Sequence, residues 1–213
     1  MFNHALKFRN VFILLCTCMV VSACSREKFN PAWLKERAPE KYTAEFETSE
    51  GNFLVAVQRH HAPVAADRFY QLVKNGYFDN GLFYRVIKNY VAQFGNTNLD
   101  EMEKWRQFPL RDEPVRLKNH RGTLSFAQSG PQTRDLEVFI NLTDNPELDT
   151  VAVNGTHGFP AFGKVIRGMQ VVDRLNTRYA DKPMMSPLLY DNRTRFYSSF
   201  PDIDIIYHAR IID

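Results

Sequence analysis

The chain has 213 residues, 44% hydrophobic and 24% charged, a balance that fits one globular domain with extra segments. Its 27 Lys+Arg against 24 Asp+Glu leave a net charge of +3, too slight an excess for a nucleic-acid-binding surface, and no nucleic-acid partner is expected. All three cysteines, Cys16, Cys18 and Cys24, fall in the first 24 residues, which leaves none for a disulfide in the rest of the chain.

Lys7 and Arg9, with no acidic residue near them, precede an apolar run, Val11–Val21. About eleven residues suit a signal-peptide core and are too short to span a bilayer. The run ends in Val21-Ser22-Ala23-Cys24, which resembles a bacterial lipobox. The expectation is a lipoprotein signal peptide over 1–23 and lipidation of Cys24, which becomes the first mature residue. A plain signal peptide cut after Ala23 is the alternative. Ser25 in place of an Asp points to an outer-membrane anchor facing the periplasm if the cell is Gram-negative. Without Lys7 and Arg9, 25 basic residues face 24 acidic ones, so the mature chain is nearly neutral. Residues 24–41 are charged, carry Pro31 and Pro39, and predict a tether with one helical turn near Trp33–Arg37.

The domain is expected over 42–213. "YTAEFET" and "NFLVAV", either side of Ser49-Glu50-Gly51, predict a hairpin. From Pro63 the apolar spacing of Ala65, Phe69, Leu72 and Val73 predicts a helix stopped by Asn75-Gly76. Leu82–Ile87 and Tyr90–Phe94 predict two strands joined at Lys88-Asn89. A long polar connection, 96–121, separates them from predicted strands at Gly122–Gln128, Glu137–Leu142 and Ala161–Ile166. Met169–Leu175 predicts a short helix. A second connection, 176–202, has helical character near Asn192–Phe200, and Ile203–Ile212 closes the chain as a strand. Eight strands without alternating helices exclude a parallel α/β fold and predict a mainly β protein, an eight-stranded antiparallel barrel closed on itself, with two helices.

Metal chemistry has little support: His60 and His61 are adjacent, His120, His157 and His208 are isolated, and no H-x-x-x-H or C-x-x-C spacing occurs. No G-x-S-x-G and no phosphate loop are present. No metal or other cofactor is expected. The residue that fits its surroundings worst is Arg85, a guanidinium among Phe83, Tyr84, Val86 and Ile87, with the amide of Gln93 on the next strand. Alternation alone would place it on the solvated face of a half-buried strand.

"FYRVIKNYVAQFG", "GTLSFAQSGPQTRDLEVFINLTDNPELD" and "FPAFGKVIRGMQVVDRL" resemble, in order and spacing, the three signature segments of cyclophilins. The resemblance covers Tyr42 to about Leu175 and the last strand. Trp105-Arg106, Asp112-Glu113-Pro114-Val115, Asn119-His120-Arg121-Gly122 and Phe200-Pro201-Asp202-Ile203 resemble a bacterial subgroup of that family, here in a lipoprotein form. The resemblance implies a peptidyl-prolyl cis–trans isomerase whose partners are proline-containing unfolded or exported polypeptides. It implies a monomer. It assigns catalysis to Arg85 and Gln93, and substrate binding to Phe83, Tyr90, Val91, Ala127, Gln128, Phe139, Leu148 and Phe159. Sequence alone leaves Phe139 and Leu148 open between pocket floor and plain core. Several positions depart from the family's usual residues: Tyr84 for His, Tyr90 for Phe, Val91 for Met, Phe94 for the Gly after Gln93, Glu137 for Gln, Glu147 for Trp or Phe, and Phe159 for His or Tyr. Glu147 offers no N–H donor, which implies weak cyclosporin binding. A proline-segment-binding chaperone without catalysis, or an envelope scaffold module, is the alternative.

Overall fold

The computed structural model describes residues 29–213; the expected signal peptide and Cys24 lie outside the described residues. Alternating burial along β1 (Lys41–Thr48) and β2 (Gly51–Gln58) turns one face of the hairpin inward. Helix α1 (Pro63–Lys74) follows. Its first residue is proline, and it has no N-cap side chain of its own. The Glu113 carboxylate fills that role from the distant connection, accepting from the Val64 and Ala65 amides at 2.7 and 3.0 Å.

Strands β3 (Gly81–Val86) and β4 (Val91–Gly95) come next, then α2 (Leu99–Arg106), capped by the Asn98 side chain. Strands β5 (Thr123–Phe126) and β6 (Val138–Asn141) flank a loop. A two-residue ribbon, β7 (Ala152–Val153) and β8 (Thr156–His157), precedes β9 (Ala161–Arg167) and the short helix α3 (Met169–Val172). The second connection folds into α4 (Lys182–Met185), α5 (Leu188–Asp191) and α6 (Arg193–Ser199), and β10 (Ile205–Ile211) ends the fold. Eight strands close in the order β1-β10-β3-β4-β6-β5-β9-β2, every pair antiparallel. The expected barrel and its two helices are there. Short helices fill both connections as well, because Met102 and Trp105 of α2, and Leu189 and Phe196 of α5 and α6, bury apolar side chains on the barrel.

The core is aromatic. Phe46 stacks on Phe53 at 5.0 Å and meets Phe69, Phe78 and Phe94 within 6.0 Å. In its described part the 24–41 segment has the expected single turn, and it also packs on the domain. The Asn30 side chain caps a 3₁₀ turn, Pro31–Lys35, and Phe29 and Trp33 pack on Trp105 at ring distances of 5.1 and 6.1 Å. Gln71 of α1 donates to the Leu34 and Glu36 carbonyls. Two aromatic rings in a charged segment bury enough apolar surface to dock it on the domain.

One irregularity positions the site. Between β3 and β4, Leu82 pairs with Gly95 but Arg85 pairs with Gln93, so Phe83 and Tyr84 together oppose Phe94. This β-bulge shifts the in–out alternation by one residue. Phe83 turns inward onto Phe94, 5.2 Å away, whereas Tyr84 joins an outer apolar cluster with Leu82, Leu189 and Phe196. Gly95 leaves room for the Tyr84 ring: a Cβ there would lie 3.1 Å from the Tyr84 hydroxyl.

Candidate active site

Downstream of the bulge, Arg85 of β3, Gln93 of β4 and Phe139 of β6 are register neighbours across three adjacent strands. They share the outer wall of the barrel and line a groove of about 770 Å³. Every predicted catalytic or substrate-binding residue lines this groove except Phe83: Arg85, Gln93, Tyr90, Val91, Ala127, Gln128, Phe139, Leu148 and Phe159. Phe83 is a core residue, 2% exposed, because the bulge breaks the alternation that would have kept it on Arg85's side. Phe139 and Leu148 lie outside the main barrel core and line the groove. With Val91 they form an apolar cluster apart from the barrel core, flanked by Tyr90, Ala127 and Phe159. The Phe159 ring meets Phe139 edge-on at 5.6 Å. Phe94 is fully buried in the core, and the exposed Glu147 side chain is not part of the groove lining.

A polar row lies beside this apolar floor. The Arg85 guanidinium donates to Gln93 Oε1 at 3.2 Å and lies 5.7 Å from the Tyr90 ring. Gln93 Nε2 donates to Glu137 Oε2 at 3.0 Å. Arg106, at the end of α2, comes within 3.6 Å of Glu137 and 3.4 Å of Asp135. Burial pushes both carboxyl groups above the usual carboxylate range, and the nearby Arg106 charge opposes it. Beneath them the Tyr84 hydroxyl is buried and faces Gln93 and Glu137; burial drives its pKa well up. On the far side Gln128 Nε2 donates to the Gly158 carbonyl at 2.7 Å.

The sequence reading did not assign Arg106, Asp135, Asp181 or Met184 to the site, though all line the groove. The Trp105-Arg106 pair held a signal. Trp105 is 1% exposed and anchors α2, so the next side chain is presented at a fixed place. Asp181 and Met184 come from the second connection, which a bridge between Val86 and Ala180 pins beside Arg85. No group of three or more potential metal-ligating side chains occurs among the described residues, nor any helix long and apolar enough to cross a membrane.

A closed antiparallel barrel carries on its outer wall a groove in which a guanidinium and an amide lie beside an apolar floor. The family model described as cyclophilin type peptidyl-prolyl cis-trans isomerase/CLD matches residues 43–191. The chain belongs to the cyclophilin-type peptidyl-prolyl cis-trans isomerase family. It is 36% identical over 133 residues to a peptidyl-prolyl cis-trans isomerase of Acinetobacter baylyi, covering 62% of this chain and 70% of that one. It is 32% identical over 161 residues to peptidyl-prolyl cis-trans isomerase A of Dickeya dadantii, covering 74% and 81%. A crystal structure of a Cryptosporidium parvum cyclophilin shares the fold, with a TM-score of 0.58 at 22% identity over 81% of this chain and 98% of that one. The same Cryptosporidium protein has been crystallised in the presence of the dipeptide Ala-Pro.

Proposed function

We propose that this isomerase accelerates X–Pro rotation by stabilising the twisted amide with Arg85. The peptide bond resists rotation by about 18–20 kcal/mol because the nitrogen lone pair is delocalised into the carbonyl. At the top of the barrier that pair is localised on the proline nitrogen and accepts a hydrogen bond. No bond is broken, so the chain needs only a fixed donor beside an apolar wall. A guanidinium is always charged and has no acceptor. The observation that carries the reading is the register row Arg85–Gln93–Phe139, a donor beside an apolar floor, which supports a proline ring seated there. Gln93 spends one N–H on Glu137 and keeps the second for a substrate carbonyl.

The expected outcome for Arg85→Ala is a fall in kcat/KM of about 10²–10³ toward an Ala-Pro peptide, the scale of losing one pre-organised donor at a developing charge. Exchange spectroscopy on the folded variant measures it, and unchanged activity would refute the mechanism. We propose further that the clients are exported polypeptides and that the enzyme is anchored in the bacterial envelope through lipidated Cys24. The order of Lys7, Arg9, the Val11–Val21 run and Val21-Ser22-Ala23-Cys24 supports this. Mass spectrometry of the mature N-terminus tests it: an unmodified Cys24, or normal processing and localisation of Cys24→Ser, removes the anchor and leaves the isomerase.

A further inference from the structure

Gln93 stands between two partners of opposite character. Arg85 Nη1 lies 3.2 Å from its Oε1, and Glu137 Oε2 lies 3.0 Å from its Nε2. A guanidinium only donates and a carboxylate only accepts, so one orientation of the amide satisfies both neighbours and the flipped one satisfies neither. A glutamine at position 137 would accept or donate equally well and would tolerate both orientations.

We propose that Glu137 is a positioning residue for the isomerase reaction: by accepting from Gln93 it turns the amide oxygen onto Arg85 and holds the guanidinium at the groove. The inference rests on Arg85 being the catalytic donor. Arg106, whose Nη2 lies 3.6 Å from Glu137 Oε1, engages the other carboxylate oxygen and favours the ionised form. The backbone agrees with this role. The Glu137 carbonyl accepts from the Ala127 amide at 2.8 Å, so the residue is fixed at the mouth of β6, next to Val138.

The arrangement makes catalysis pH-dependent. A protonated Glu137 gains a donor, and the amide is no longer held one way. The groups facing Glu137 are Gln93 from β4, Tyr84 from β3, Arg106 from α2, Asp135 two residues before it, Tyr190 from α5, and Tyr77 after α1. Burial sets the glutamate above its usual range, and Arg106 pulls it back. The limb therefore falls on the acid side, above the pH at which an exposed glutamate titrates.

The test is kcat/KM for an Ala-Pro peptide with blocked termini, from pH 5 to 8, for the wild type, Glu137→Gln and Arg85→Ala. The wild type is expected to drop by about three- to tenfold on acidification, the scale of one net hydrogen bond, in kcat more than in KM. Glu137→Gln is expected to be lowered by a similar factor at pH 7.5 and to be flat with pH. The Gln93 side-chain amide signal in the wild type, which needs no variant, is expected to shift with the same midpoint. A flat wild-type profile, an acid limb that persists in Glu137→Gln (which would assign it to Asp135), or wild-type activity of Glu137→Gln at pH 7.5 overturns the inference. An active Arg85→Ala sinks the Arg85 reading itself. An inactive Arg85→Ala beside an unaffected Glu137→Gln sinks only the role given to Glu137.

Discussion

At the scale of single residues the site rests on permanent charge placed against apolar surface. Arg85 is half-buried and paired to an amide, not a carboxylate, so no ion pair neutralises its charge at the groove. Tyr84 carries the opposite situation: a hydroxyl fully buried against Gln93 and Glu137. Tyr84→Phe keeps the ring and removes a group that helps hold the Glu137 carboxylate ionised, so the Glu137 midpoint is expected to move to higher pH, read from its side-chain NMR signal. An unchanged midpoint would show that the hydroxyl does not act on the carboxylate. The residue identities here were legible: Arg85 as an outlier in an apolar strand, and Gln93 two residues into the next one. Which apolar neighbours share the groove was not. Phe83 and Arg85 sit at the alternating spacing that normally means one face, and an inserted residue in the pairing leaves no mark in a run of aromatics.

Among the elements, α1 depends on a residue 49 positions away. Glu113 caps its first turn and also meets the fully buried Arg134, Nη1 to Oε2 at 3.5 Å. Arg134 donates to the Arg111 carbonyl at 2.6 Å and lies 3.9 Å from Asp112. One carboxylate thus serves both the helix and the loop that supplies Thr133 and Asp135 to the groove. Glu113→Ala removes the cap, worth about 1 kcal/mol, and takes the nearer of two carboxylates from a buried guanidinium, where loss of a buried partner typically costs about 3–5 kcal/mol. A drop in unfolding free energy of several kcal/mol is expected. A loss near 1 kcal/mol would mean that Arg134 finds another partner. The pattern of strands and of α1 was readable because periodicity is a local property. The helices of the two connections were mostly missed because they are held by tertiary contact. Leu99–Arg106 exposes half of its residues and buries only Met102 and Trp105, a pattern too sparse for a periodicity argument.

For the whole molecule, docking of residues 29–40 changes how the N-terminal segment bears on the domain. Trp33 stacks on Trp105, whose neighbour Arg106 faces Glu137 and Asp135. Trp33→Ala is expected to cost about 1–3 kcal/mol, measured by thermal unfolding of the chain from Ser25 onward. An unchanged transition would show that the segment does not contribute. Stability and activity are expected to respond oppositely to acid. Glu137 is held above its unfolded value, so its ionised form is penalised in the folded state. The stability that its protonation contributes is fully present below the unfolded pKa and lost as pH rises through the folded one. The wild type should therefore gain stability relative to Glu137→Gln as pH falls from 8 toward 5, while its turnover declines; parallel thermal melts of the two proteins read the difference. The closed barrel has one more consequence. An open strand edge invites pairing with other chains, and every barrel strand here already has two neighbours. Among the described residues the two-residue β7–β8 ribbon is the one sheet left with open edges, so the barrel itself offers another polypeptide little ladder to extend and little template for aggregation.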